Sequence, residues 1–323
     1  MSHSTPTTAG LTVVRQHVTI ELRGRGRLVP WLGPAFRGIT ALRHRAATCR
    51  QPKETWLSLW QYCRGCPLMG ECDYGTLFEP DAPAHSDGSR DAPRPLVIAP
   101  MFPLPTEATP GTTFDLDLLA IGERATAALP GVLRALVDAG RFDGLGPDRV
   151  RFEAVATGSL TRTVIAAGAL PKAAALEPVA YDVTIRLAGP LFLRDRSQPG
   201  TRRQMEAPGL MHLLRASMRV AREFLGEEAL CPGQGHLDLD DLAKAIEPIA
   251  CDLRPFAQQK SSHRSRERFG LEGVTGSWTF AAVPVCLLPW LHLGGLLHVG
   301  GHRIAGAGGW HLGIGGASRG SEP

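Results

Sequence analysis

The sequence predicts an α+β protein of two tandem domains, each with the element order β-α-β-β-α-β. Three observations predict this class: strands in which apolar and polar residues alternate, helical segments between them, and a repeat of that order in the second half. This order is the ferredoxin-like, or RRM-like, arrangement. The chain has 323 residues, of which 43% are hydrophobic and 20% are charged, and this composition suits two folded domains of ordinary size.

The first domain is predicted over residues 10–158. It begins with a strand, because Val14, Val18, Ile20 and Leu22 alternate with polar residues. The later elements are, in order, a helix at 31–47, strands at 95–100 and 114–120, a helix at 126–139 and a strand at 150–156.

A cysteine-rich insertion is predicted at residues 49–80, after the first helix. Cys49, Cys63, Cys66 and Cys72 have the spacing C-x13-C-x2-C-x5-C. Four thiolates on a compact loop suit a structural zinc ion, and an iron–sulfur cluster uses the same ligands. The alternative is four unligated thiols. A site filled by four cysteines is closed, so a metal here would be structural.

A linker is predicted at residues 159–178, and the second domain at residues 179–317. Its predicted elements are a strand at 181–187, a helix at 210–225, an amphipathic helix at 238–249, a strand at 274–280, a buried helix at 285–297 and a strand at 310–314. A polar, basic stretch at residues 252–270 has two interpretations. It is either a solvated loop or a hairpin that faces RNA.

A glycine-rich stretch at residues 294–315 precedes the last strand. Its glycines surround His302 and Arg303. Glycine lets the backbone approach a ligand closely, bare N–H groups bind anions, and arginine suits phosphate. The alternative is a tight connection that binds no ligand.

The charge and cysteine content predict a cytoplasmic protein. The formal charge of +4 is mild, with 31 arginines among the 35 basic residues. Residues 1–10 do not have the pattern of a signal peptide, and seven cysteines argue against a disulfide framework. The uncharged run at 281–299 contains prolines and histidines, so a buried helix is favoured over a membrane span.

Several segments carry a resemblance to a known family. They are FRGITALRHRAATC, CRGCPLMGECDYGTLFEP, RPLVIAP, DLRPFAQQKSSHRSRERFGLEGVTGSWTF and LGGLLHVGGHRIAGAGGWHLG. The chain resembles the CRISPR-associated endoribonucleases of the RAMP superfamily, which process precursor CRISPR RNA. One departure stands out, because relatives often have a lysine and polar residues where this chain has Gly301 to Ala305.

The resemblance implies cleavage of CRISPR repeat RNA without a metal cofactor. In that chemistry the ribose 2′-OH attacks the adjacent phosphate and leaves a 2′,3′-cyclic phosphate. The alternative is a non-catalytic RAMP subunit that holds RNA in a CRISPR effector complex. Neither a DNA substrate nor a membrane partner is expected.

Two histidines are the catalytic candidates. His44 comes first, because the resemblance places the family's histidine near the first helix, where Arg43 and Arg45 flank His44. His302, in the glycine-rich stretch, comes second, and His17 and His263 follow. The residues predicted to bind RNA are Arg37, Arg43, Lys260, Arg264, Arg266, Gly300, Gly301, Arg303, Gly306 and Gly308.

Overall fold

Two four-stranded antiparallel sheets form the framework of the protein, which is seen here in a computed structural model. The structure describes residues 10–51, 63, 66–80, 93–166, 170, 179–195, 204–226, 236–261 and 268–319. No helix within these ranges is both long and apolar enough to cross a membrane.

The first sheet has the strand order β3-β5-β1-β6. Its strands are β1 (Leu11–Leu22), β3 (Leu96–Pro100), β5 (Thr113–Ile121) and β6 (Phe152–Ile165). The helices of this half are α1 (Gly33–Thr48), α2 (Asp73–Phe78) and α3 (Glu123–Phe142). Two short strands, β2 (Gly26–Arg27) and β4 (Glu107–Ala108), pair with each other.

The second sheet has the strand order β10-β7-β9-β8. Its strands are β7 (Val179–Leu187), β8 (Pro248–Ser261), β9 (Arg268–Pro284) and β10 (Trp310–Arg319). The helices of this half are α4 (Leu210–Leu225), α5 (His236–Lys244) and α6 (Leu288–Leu297). Short 3-10 turns occupy Val285–Leu287 and Arg303–Ala305.

Both sheets have the ferredoxin-like order. In each one, the first and third of its four strands are central, the fourth lies beside the first, and the second lies beside the third. The predicted fold class of two tandem ferredoxin-like domains is therefore confirmed.

The core of each domain lies between its sheet and its helices. In β1, the predicted apolar residues Val14, Val18, Ile20 and Leu22 are all buried under the helices of the first domain. In the second domain, a Cβ atom on Gly294 of α6 would lie 1.9 Å from Ser217 Oγ of α4. The two helices therefore pack at a distance that only glycine allows at this position.

Several predicted elements have different bounds in the structure. Strand β6 continues to Ile165, past the predicted end at 156, because β1 pairs with it as far as Leu11. Most of β6 is exposed, so it lacks the apolar alternation on which the prediction rested. Helix α5 ends at Lys244 and not at 249, because Pro248 begins β8. The basic stretch at 252–270 forms paired strands on both sides of residues 262–267. A hairpin is therefore confirmed, and its contact with RNA stays a prediction.

His298, at the end of α6, is an imidazole enclosed by the protein. Its side chain is 5% exposed, and its Nδ1 lies 3.0 Å from the carbonyl oxygen of Ala307. Burial lowers the pKa of His298 to about 4, although the bond to Ala307 acts in the opposite sense. The folded protein therefore keeps this ring neutral.

We predict that His298 makes the stability of the protein depend on pH. In the unfolded chain a histidine has a pKa of about 6.5, so the unfolded state binds more protons between that pH and about 4. The stabilisation is therefore complete above about pH 6.5 and falls by about 3 kcal/mol as the pH drops to 4. Urea unfolding at a series of pH values measures this loss.

A matched pair of variants separates His298 from other titrating groups. His298→Gln keeps a donor for Ala307 but cannot be protonated, so its stability should fall less between pH 7 and pH 4. His311→Gln, at an exposed position, should keep the dependence of the wild type. Identical pH dependence in His298→Gln and the wild type would contradict the prediction.

Candidate functional site

The glycine-rich loop, defined here as residues 298–309, lies between the two domains. A Cβ atom on Gly306 would lie 2.5 Å from the Cα of Ala99 in β3. At the start of α1, a Cβ atom on Gly33 would lie 1.8 Å from the carbonyl oxygen of Ala305. The backbone of the loop therefore packs directly against the backbone of a strand and of a helix in the first domain.

Most of the loop's amides that were predicted to be bare have partners inside the protein. The N–H of Gly301 donates to Phe192 O at 2.8 Å, and the N–H of Gly308 donates to Pro190 O at 2.9 Å. The N–H of Gly306 donates to Arg303 O at 2.9 Å. These three glycines thus allow close packing and tight turns. The prediction that their N–H groups are free to bind an anion is wrong. The exposed end of the loop is Gly300 and Gly301.

An aromatic cluster joins the two domains beside the loop. Trp31 precedes α1, whereas Phe192 and Phe256 belong to the second domain. The ring centroid of Trp31 lies 5.5 Å from that of Phe192 and 6.4 Å from that of Phe256. Sequence reasoning missed this cluster, although a phenylalanine in the polar 252–270 stretch was a signal that one side of the hairpin is covered.

His302 follows the exposed end of the loop, is itself half-buried and packs on this cluster. Its ring centroid lies 5.3 Å from that of Phe192 and 6.4 Å from that of Trp31, with both pairs edge to face. The backbone of His302 is left-handed, with a φ of 57°. The imidazole is therefore held in place by residues of both domains at the surface between them.

Arg303 points into the protein and not toward solvent. Its Nη2 donates to the carbonyl oxygen of Arg94 at 3.2 Å and lies 3.7 Å from Glu223 Oε2. The guanidinium also lies 5.0 Å from the ring centroid of Phe224, and the side chain is 11% exposed. Burial lowers the pKa of Arg303. Arg303 joins the first domain to α4, so its predicted contact with phosphate is not supported.

His44 is buried within the first domain. Its side chain is 1% exposed, its ring centroid lies 5.7 Å from that of Phe78 in α2, and burial lowers its pKa. Gly33, where the loop meets α1, is about 16 Å away along the helix axis at 1.5 Å per residue. The structure does not bring His44 to the loop. A catalytic role for His44 therefore has no support from its position, because RNA does not reach a sealed ring.

The predicted arginines of α1 are bound to other parts of the first domain. Arg43 donates from Nε and Nη2 to the carboxylate of Asp143 at 2.6 and 2.9 Å, and this hydrogen bonding raises its pKa. Arg37 Nη2 donates to Phe78 O at 2.9 Å. Their geometry favours a structural role over contact with RNA.

The remaining basic candidates belong to the β8–β9 hairpin. Lys260 lies in β8 opposite Phe269. Arg264 and Arg266 lie outside the described residues, as does His263. The described part of this hairpin lies within the second sheet, and Phe256 of β8 belongs to the aromatic cluster.

His17 lies in a separate polar group on the open face of β1 and β5. Its Nδ1 lies 3.1 Å from Asp117 Oδ1, and its Nε2 lies 3.2 Å from Asp115 Oδ1. Arg15 Nε lies 3.6 Å from Asp117 Oδ2. Carboxylates surround this histidine, so the group repels a phosphate.

The four cysteines do not form a metal site in the described residues. No three His, Cys, Asp or Glu side chains in those ranges lie close enough together to hold a metal ion. Burial raises the pKa of Cys63 to about 12, which disfavours the thiolate that a metal needs. The geometry thus gives metal binding no support, and structural zinc stays a prediction.

Comparison with solved structures identifies the fold. Cas6 in a product complex has a TM-score of 0.53 and 16% identity, over 94% of this chain and 98% of that chain. A partial Cas6-RT-Cas1–Cas2 complex has a TM-score of 0.53 and 15% identity, over 95% of this chain but 46% of that chain. The resemblance to CRISPR-associated RAMP proteins is therefore confirmed at the level of fold. The sequence has no match among curated proteins.

A family model matches the first half of the chain. The model AF_1859_N, which describes an N-terminal domain, matches residues 11–173, just over half of the chain. The match begins with β1 and extends past the end of β6. The chain therefore belongs to the AF_1859_N family.

Proposed function

We propose that this protein is an endoribonuclease that cuts CRISPR repeat RNA without a metal ion. The observation that carries the proposal is the position of His302, a half-buried imidazole next to the exposed end of a loop that both domains hold in place. The shared fold with Cas6 in a product complex adds support. The basic hairpin beside the same aromatic cluster offers a surface for the RNA backbone.

The proposed reaction needs two proton transfers. A base removes the proton of the 2′-OH, the 2′ oxygen forms a bond to phosphorus, and the bond from phosphorus to the 5′ oxygen breaks. An acid gives a proton to that leaving oxygen, so the products are a 2′,3′-cyclic phosphate and a 5′-OH end. Imidazole performs either transfer near neutral pH. We assign one transfer to His302, whose ring is packed against Phe192 and so needs little ordering when RNA binds.

RNA binding is assigned to the basic residues of the 252–270 stretch and to the exposed end of the loop. Gly300 and Gly301 lack side chains that would keep a phosphate at a distance. Lys260 of β8 supplies positive charge, and Arg264 and Arg266 follow it in the sequence. Binding of this kind weakens as the salt concentration rises, because the release of counterions from the RNA then gains less free energy.

A second candidate function is a non-catalytic RNA-binding subunit of an effector complex. The burial of His44 favours it, since the histidine on α1 is then unavailable for proton transfer. Such a protein would retain repeat RNA through the same hairpin and loop but leave it intact.

The first prediction of the proposal is cleavage in the absence of metal. Purified protein incubated with end-labelled repeat RNA in EDTA should give one discrete product that ends in a 2′,3′-cyclic phosphate. Retention of intact RNA that weakens with salt would instead identify the non-catalytic subunit. The absence of both cleavage and retention would contradict both functions.

The second prediction distinguishes the two histidines. His302→Ala should slow single-turnover cleavage by about 100-fold, the usual contribution of a general acid or base, and leave RNA affinity nearly unchanged. His44→Ala should leave the cleavage rate of the folded protein within about threefold of the wild type. It should instead lower the free energy of unfolding by roughly 1–3 kcal/mol, because it opens a cavity under Phe78.

Gel assays under single-turnover conditions and urea unfolding of both variants make this comparison. His292→Ala is a control, because His292 is an exposed histidine on α6. The assignment fails if His302→Ala cuts like the wild type, or if His44→Ala stops cleavage without loss of stability.

A further inference from the structure

The far half of the β8–β9 hairpin extends beyond the rest of its sheet. Residues 277–284 of β9 form a ladder with β7. Residues 268–276 of β9 form a ladder with β8 and not with β7. A ribbon of two strands is marginally stable in water when nothing supports it. The basic end of this hairpin therefore needs a fixed support.

Two parts of the chain supply this support. Within the second domain, Leu191 exchanges backbone hydrogen bonds of 2.8 and 3.0 Å with Val274 of β9. From the first domain, the residues just before α1 cover the hairpin. Phe256 of β8 and Leu271 of β9 are buried against Trp31 in the aromatic cluster. At the next residue on the same side of β8, Gln258 Oε1 accepts a hydrogen bond of 2.8 Å from the backbone N–H of Trp31. The Nε2 of Gln258 donates to the carbonyl oxygen of Trp31 at 3.1 Å.

The two bonds satisfy both backbone groups of one residue. Trp31 lies outside the strands and helices, so no ladder or helix pairs its N–H and C=O. A primary amide carries an acceptor and a donor side by side, which is what this pair of backbone groups requires. Leucine has neither group, and an ionised glutamate has no donor. The contact is thus specific to the amide of Gln258, and it links residues 227 apart in sequence.

The contact joins two parts of the proposed site. Strand β8 continues from Gln258 through Lys260, and further basic residues follow it in the sequence. On the other side, Trp31 contacts the ring of His302. A shift of the hairpin relative to Trp31 would change the distance between bound RNA and His302.

We infer that Gln258 is a positioning residue that sets where repeat RNA lies relative to His302, and so which phosphodiester is cut. The inference rests on the proposed function and goes beyond it, because it assigns the register of cleavage to a contact between the domains. Gln258 itself touches Trp31 and no reacting atom.

The test compares Gln258→Leu with Gln259→Leu. Gln259 is the next residue of β8 and is exposed, so the same change there leaves the contact with Trp31 intact. Gln258→Leu should weaken repeat-RNA binding by about tenfold, the effect expected for the loss of two net hydrogen bonds. Its cleavage products, mapped at single-nucleotide resolution, should spread over neighbouring positions. Gln259→Leu should bind and cut like the wild type.

Gln258→Glu supplies a readout that general destabilisation does not move. Its ionised carboxylate can accept from the N–H of Trp31 but repels the carbonyl oxygen, whereas the protonated acid can donate to that oxygen as the amide does. The ratio of Gln258→Glu affinity to wild-type affinity should therefore rise toward one as the pH falls from about 7 to about 4, through the ordinary glutamate pKa of about 4.3. Taking the ratio cancels the protonation of the groups that both proteins share.

The outcomes separate the inference from the proposed function. If the wild type neither binds nor cuts repeat RNA, the proposed function fails and the inference fails with it. If the wild type cuts and Gln258→Leu keeps its affinity and its cleavage position, the inference alone is overturned. If Gln258→Leu does not fold, a pH-independent ratio for Gln258→Glu overturns it.

Discussion

Backbone-to-backbone packing of the glycine-rich loop against the first domain is the constraint on which the rest of the structure depends. Gly306 lies so close to Ala99, and Ala305 to Gly33, that any side chain on either glycine would force the domains apart. The amides of Gly306 and Gly308 are used within the protein. Glycine is therefore needed here because two domains meet, and the exposed end of the loop is what remains for a ligand.

This contact determines which candidate residues share one surface. It places His302 on the aromatic cluster and turns Arg303 inward toward Glu223. The hairpin joins the same cluster through Phe256 and Gln258. His44 is part of the first domain's own core, under Phe78. The proposed site thus lies at the boundary between the two domains, and neither domain forms it alone.

The element order of both domains could be predicted from sequence, because alternation in β1 and helical spacing in α4 report burial on one face. The site could be predicted only in part. The density of glycines marked the loop correctly as a place of close approach, but sequence does not say whether the approaching group is RNA or another part of the chain. Arg43 and Arg303 look free in the sequence. Their carboxylate partners, Asp143 and Glu223, are distant in sequence and have no local signal.

The most direct test of the central claim compares alanine at two glycines. Gly306 and Gly111 both have a positive φ, of 84° and 86°, but nothing lies within 4 Å of a Cβ atom on Gly111. Both substitutions should cost about 1 kcal/mol for backbone strain, and Gly306→Ala should cost roughly 1–3 kcal/mol more because the loop is forced away from β3. Urea unfolding measures both losses. A larger loss for Gly306→Ala is the predicted result, whereas equal losses would contradict the claim that this loop holds the two domains together.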